Sequence, residues 1–77
     1  MRRKNKNLTE RELQVMKYMA IGYNNKEIAD ALNYSVGIIN HRTYFILQKM
    51  GTNNRTKAVI KWLKEYVDID IYDILFR

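Results

Sequence analysis

Residues 24–51 read NNKEIADALNYSVGIINHRTYFILQKMG, and this stretch decides the fold. Asn24 can cap a helix, and Glu27 follows three positions later. That is the spacing of a capping box, in which each side chain satisfies the other residue's free amide. Ile28, Ala29 and Leu32 give a short helix, about residues 25–32, one apolar face. Asn33-Tyr34 leaves room only for a tight connection. Ser35 is the N-cap of a longer helix over about 36–50, and Gly51 ends it as a left-handed cap.

Placed at about 100° per residue, the longer helix separates into two faces. Ile39, Ile46 and Met50 fall together as the stripe that packs inward. Gly37, Asn40, His41, Tyr44 and Gln48 fall on the other side, rich in hydrogen-bonding groups and without a carboxylate. Asn can pair bidentately with adenine, His can donate or accept, and Tyr brings a hydroxyl and a ring. A glycine near the start allows close backbone approach. A short helix, a tight turn and a longer helix with such a face form a helix-turn-helix, whose second helix lies in a major groove. The competing reading is a plainly solvated polar face. The helix-turn, the basic charge and the missing carboxylates favour the groove.

Outward from this core the rest is helical too. Thr9 and Glu12 repeat the capping-box spacing, with Leu8 and Leu13 placed as a hydrophobic staple. Leu13, Met16, Met19 and Ala20 recur at helical spacing, with Val15 beside them, up to Gly22. After the turn Thr52-Asn53-Asn54, a fourth helix runs from about Arg55 to Tyr66. The expected fold class is therefore all-α, four short helices over residues 8–66. A basic arm, residues 1–7, precedes them and an acidic, apolar extension, residues 67–77, follows. Alternation at Val67, Ile69 and Ile71 allows a strand in that extension, and Ile71, Ile74 and Leu75 allow a helix.

Composition sets the function classes. The 77 residues carry 14 Lys and Arg against 8 Asp and Glu, a net +6. Residues 1–66 hold +8 and residues 67–77 hold −2, so a basic body points to a polyanionic partner. With no Cys and a single His, there is no thiol nucleophile and no cysteine or histidine cluster for zinc. No nucleophile–base pair or phosphate loop is visible, so an enzyme is the poorest reading, and neither metal nor cofactor is expected. Asp68, Asp70 and Asp73 lack the glycine turn and terminal Glu of a calcium loop, and read as surface acid. No apolar run approaches the ~18 residues of a membrane span, and a cytoplasmic protein is expected. The triplets NLT and NRT carry no meaning without a secretory signal.

Several anchors agree in spacing with one family. Leu8-Thr9-Glu10-Arg11-Glu12, Gly22 with Asn25-Lys26-Glu27-Ile28-Ala29, Leu32, Ser35, Lys49-Met50-Gly51, and Arg55-Thr56 with Ala58-Val59 resemble the LuxR-type helix-turn-helix. This is the output domain of many bacterial response and quorum-sensing regulators and of small GerE-like regulators. The resemblance runs from residue 8 to about 63. It implies a four-helix domain in which the third helix reads duplex DNA and the fourth is the dimer contact. It places base contacts on Asn40, His41 and Tyr44, and phosphate contacts on Thr9, Asn25, Lys26, Lys49 and Thr56. The chain departs from the family's Thr-Val-Lys-x-His at Ile38-Ile39-Asn40-His41-Arg42, and has Phe45 for a common Asn and Thr52 for a common Val. A borrowed operator sequence therefore does not carry over.

The residues keep their own alternatives. His41 is a base contact or a solvated side chain, and Tyr44 a DNA contact or a partly packed aromatic. Arg42, to one side of the stripe, suits a phosphate better than a base, and Lys26 is a phosphate contact or an ordinary surface lysine. Arg2, Arg3, Lys4 and Lys6 either enter a minor groove or add only electrostatic attraction. In the fourth helix, Val59, Trp62, Leu63 and Tyr66 exceed what one inward stripe needs. The surplus meets either a second copy of the chain or the folded-back extension. Three functions follow: a dimeric transcription regulator with a possible polymerase contact, a protein-interaction module of the same fold that holds a polymerase subunit or another regulator, or the excised output domain of a larger response regulator. Met1 suits a natural start and an excised piece alike.

Overall fold

The computed structural model describes residues 8–77, apart from the side chains of residues 71 and 72. The arm with Arg2, Arg3, Lys4 and Lys6 lies outside the described residues. The described chain is all-α: α1 Glu10–Ala20, α2 Asn25–Leu32, α3 Val36–Met50 and α4 Arg55–Trp62. A wider, π-type turn Leu63–Val67 and a short α5, Ile71–Leu75, complete it.

The first four helices all start on a side-chain cap. In α1 the Thr9 hydroxyl accepts the Glu12 amide at 3.1 Å, and Glu12 Oε1 accepts the Thr9 amide at 2.9 Å. Asn24 and Glu27 repeat the exchange at 2.8 Å both ways. Ser35 accepts from Ile38 at 3.2 Å and Asn54 from Lys57 at 2.9 Å. Each cap contributes about 1 kcal/mol, a large share in a chain this short. The connection between α2 and α3 pivots on Asn33, left-handed at φ 61°, a conformation asparagine tolerates better than most residues. The next amide, Tyr34, returns to the Ala29 carbonyl at 2.9 Å. Gly51, at φ 74°, closes α3.

α1, α2 and α4 all pack against α3. Val15, Met16 and Met19 of α1 meet Ile28 and Ala29 of α2, Ile39, Ile46 and Met50 of α3, and Ala58 and Trp62 of α4. The inward stripe of α3 holds one residue that its apolar periodicity does not announce, Thr43, which is 6% exposed. Trp62, expected at a dimer contact, is itself buried at 7% exposure. α4 otherwise brings only Ala58 fully inward, and the indole supplies the bulk that closes the core. Val59, Leu63 and Tyr66 are half-buried against it.

The helix expected to run through Tyr66 changes pitch after Trp62. It ends at Asp68, left-handed at φ 62°, with the Ile69 amide bonded to the Leu63 carbonyl at 2.9 Å. The extension, open between strand and helix in the sequence, forms one helical turn. Its aspartates serve local structure: Asp68 is the left-handed cap, Asp70 accepts the Asp73 amide at 3.3 Å, and Asp73 pairs with Arg77 at 3.3 Å.

Two adjacent isoleucines separate core from surface. Ile39 is fully buried and Ile38 is 41% exposed. Ile39→Ala should lower unfolding stability by about 2–5 kcal/mol, while Ile38→Ala should cost less than about 1 kcal/mol. Urea denaturation followed by circular dichroism measures both. Equal losses would mean that α3 is rotated differently.

Candidate nucleic-acid interface

Burial of Ile39, Thr43, Ile46 and Met50 sets the rotation of α3, and Gly37, Asn40, His41, Tyr44 and Gln48 consequently lie exposed. The three expected base contacts thus share one accessible face, with Tyr44 56% exposed. Phe45 stands among them. Its ring meets His41 edge-on at 4.8 Å and Tyr44 at 5.3 Å, so two of the three groups lean on one aromatic. Val36 and Ile38, each 41% exposed, add an apolar shoulder.

Asn40, at the side of this face next to α2, belongs to a hydrogen-bond chain that crosses three helices. Arg55 Nη1 donates to Asn25 Oδ1 at 2.8 Å, and its Nη2 donates to the Tyr23 carbonyl at 2.8 Å. Asn25 Nδ2 donates to Asn40 Oδ1 at 2.8 Å and lies 3.3 Å from Thr43 Oγ1. The Thr43 hydroxyl donates to the Asn40 carbonyl at 3.0 Å. Burial pushes the Arg55 guanidinium below its ordinary value, yet arginine keeps its charge in proteins. Arg55 and Thr43 are members of this hydrogen-bond chain to which the sequence reading assigned no role. Two signals were present: a hydroxyl inside the apolar stripe of α3, and a cation in the first turn of α4, where the helix dipole disfavours it.

The expected phosphate contacts divide into committed and open groups. Lys49 Nζ bonds Glu12 Oε1 at 2.7 Å and ties α3 to α1. Burial opposes the Glu12 charge, but the Lys49 ammonium and the Thr9 amide outweigh it and hold the carboxyl below the usual glutamate range. The Arg42 guanidinium stacks over the Tyr34 ring, 4.6 Å from its centroid, and its Nη1 is buried without a hydrogen-bond partner. Arg11 Nη1 donates to the Tyr34 hydroxyl at 2.7 Å. With Arg42 first and Arg11 second, the two guanidiniums hold that phenol below its ordinary value. Thr9 is engaged in its cap and Asn25 in the network, while Lys26 and Thr56 stand exposed in the first turns of α2 and α4. Of the expected dimer residues, Val59, Leu63 and Tyr66 keep partial exposure and Trp62 keeps little. Burial, reinforced by Glu65, raises the Tyr66 hydroxyl above its ordinary value.

Among the described residues, no group of three or more His, Cys, Asp or Glu is placed to hold a metal, and no helix is long and apolar enough to cross a membrane. The short α2, the left-handed turn at Asn33 and the exposed carboxylate-free face of α3 define a helix-turn-helix. The chain belongs to the luxR family of bacterial regulatory proteins, whose model matches residues 6–62. It is accordingly a DNA-binding, LuxR-type helix-turn-helix domain of transcription regulation. It is 42% identical over 57 residues to the transcriptional regulatory protein DegU of Brevibacillus brevis, covering 74% of this chain and 24% of that protein. Over 53 residues it is 40% identical to the transcriptional regulatory protein LnrK of Bacillus subtilis, covering 69% of this chain and 24% of LnrK. The response regulator VraR of Staphylococcus aureus is equally similar, with 69% of this chain and 25% of VraR covered. The chain spans about a quarter of the length of these curated relatives.

The Lys49–Glu12 pair gives a pH signature. A carboxyl depressed in the folded state contributes stability that is full above its unfolded value and is lost as pH falls through its folded value. Melting temperature should therefore hold near neutrality and fall through and below about pH 4. Glu12→Gln should lower the neutral-pH plateau and flatten that acid decline. An unchanged acid limb in Glu12→Gln would show that the pair carries none of it.

Proposed function

We propose that the domain recognises a specific duplex-DNA sequence by laying α3 in a major groove, and that it does so as a homodimer through α4 on paired half-sites. Asn40, His41 and Tyr44 meet base edges. Thr9, Asn25, Lys26, Arg42, Lys49 and Thr56 lie along the flanking phosphates. Asn25 does so through its main-chain amide in the first turn of α2, because its side chain is spent within the protein. Lys49 and Arg42 lend charge from within their internal contacts. Val59, Leu63 and Tyr66 form the surface of the α4 contact, with Trp62 behind them as its support. One observation carries this reading: burial turns outward a hydrogen-bonding face of α3 that has no carboxylate to repel phosphate. The basic excess of residues 1–66 supplies the non-specific attraction. The names of the relatives, transcriptional regulatory protein and response regulator, point the same way. Contact with RNA polymerase and a cytoplasmic location belong to the same proposal.

A second reading rests on a different observation. Val36, Ile38 and Phe45 leave an apolar shoulder beside the polar face, and Lys49 already has an internal partner. A protein-interaction module that holds a polymerase subunit or another regulator would use such a surface, with only non-specific DNA binding.

Selection from random duplex DNA separates the two. The DNA reading predicts one enriched sequence, half-site centres ~34 Å apart or a multiple of that, and affinity that falls steeply with salt. Tyr44→Ala should relax preference at its base position by ~1–3 kcal/mol. Lys26→Ala should weaken all sequences alike and reduce the salt slope by about 1. Salt-sensitive binding with no enriched sequence would support the interaction module instead.

A further inference from the structure

The hydrogen-bond chain beside α3 determines which way round the Asn40 amide sits. Arg55 can only donate, so the Asn25 atom 2.8 Å from its Nη1 must be the carbonyl oxygen. Asn25 Nδ2 then faces the opposite way, toward Asn40 and Thr43. Thr43 requires the same orientation independently. Its hydroxyl proton is used on the Asn40 backbone carbonyl at 3.0 Å, leaving a lone pair, and not a proton, toward Asn25. An amide NH2 needs an acceptor, so Asn40 turns Oδ1 to Asn25 at 2.8 Å. The end of the exposed Asn40 side chain left for a ligand is Nδ2, with its two N–H groups.

An unconstrained asparagine reads adenine by donating to N7 and accepting from the N6 amino group. With Oδ1 turned toward α2 and one of its lone pairs taken by Asn25, the end left outward is the donor, which adenine's amino group cannot satisfy. Guanine presents two acceptors, N7 and O6, and no donor on the same edge. Thymine presents one acceptor beside a methyl, and cytosine a donor. We propose that Asn40 is held as a hydrogen-bond donor that selects guanine, and that Arg55 and Asn25 are the positioning residues that set its amide. The proposal rests on the reading of α3 as the groove helix.

The test compares sequence selection from random duplex DNA by the full chain and four variants, each checked for helical circular dichroism. The unmodified chain should prefer guanine over adenine by about tenfold or more at one position of each half-site, and Asn40→Ala should level that position alone. Asn25→Asp keeps a partner for Arg55 but offers Asn40 only acceptors. Its amide must then turn and present Oδ1, so guanine should give way to adenine or cytosine there while the other positions hold. Any uniform loss of affinity leaves that comparison intact. Arg55→Met should blur the preference, and Arg55→Lys, which retains a donor, should restore it. If Asn25→Asp does not fold, the Arg55 pair carries the test. Adenine at the Asn40 position of the unmodified chain, or guanine persisting in folded Asn25→Asp and Arg55→Met, overturns the proposal. Enrichment that depends on Tyr44 and His41 but not on Asn40 overturns it while leaving the groove reading standing. No enriched sequence at all overturns both.

Discussion

α3 can turn only one way against the rest of the domain, because Ile39 and Ile46 are fully buried and Met50 nearly so, with Thr43 between them. Positions 39, 43, 46 and 50 follow the i, i+4, i+7, i+11 spacing of one helix face. Rotating α3 by a single residue would expose isoleucines and bury Asn40 and Tyr44 in one sense or Arg42 and Lys49 in the other, at a cost that a chain with so small a core could not absorb. The buried stripe therefore sets which face is exposed. What α3 shows to solvent is what remains after packing.

Packing alone does not orient a side chain such as asparagine, and a second layer of contacts does that. The first turn of α2 lies beside the head of α3, and the first turn of α4 reaches it through Arg55. Asn25 stands where the three helices meet and spends both ends of its amide on bonds to its neighbours. On the opposite side of α3, Lys49 and Arg42 play a related part, one paired with Glu12 of α1 and the other stacked on Tyr34. The cations flanking α3 therefore serve the fold before they meet any partner, and the surface they leave is less freely charged than the net of +8 in residues 1–66 suggests.

Most of the helix architecture was legible because each start and stop is chemically local. Thr9, Asn24 and Ser35 act as caps where their spacing places them, and Gly51 stops α3 where its lack of a Cβ allows. The exposed face of Asn40, His41 and Tyr44 was legible for the same reason, since periodicity needs only one helix. The contacts that escaped depend on distant residues meeting. Nothing local links Arg55 with Asn25, 30 positions away, or Lys49 with Glu12, 37 positions away. Trp62 shows the limit of counting apolar residues. The largest of those on α4, it is needed inside, and Val59, Leu63 and Tyr66 pack half-buried against the core. The pitch change after Trp62 and the helical turn of the extension lay beyond periodicity, because the pattern there fits strand and helix equally.

The surface we propose to meet DNA is the outward face of α3, with the Asn40 amino group at its edge. Nuclear magnetic resonance of the chain titrated with its selected duplex tests it most directly, through the side-chain NH2 signals. Asn40 Nδ2 should shift strongly and show contacts to base protons, while Asn25 Nδ2, bonded inside the protein, should move little. Shifts confined to α4 and residues 67–77, with the Asn40 amide unchanged, would contradict the account.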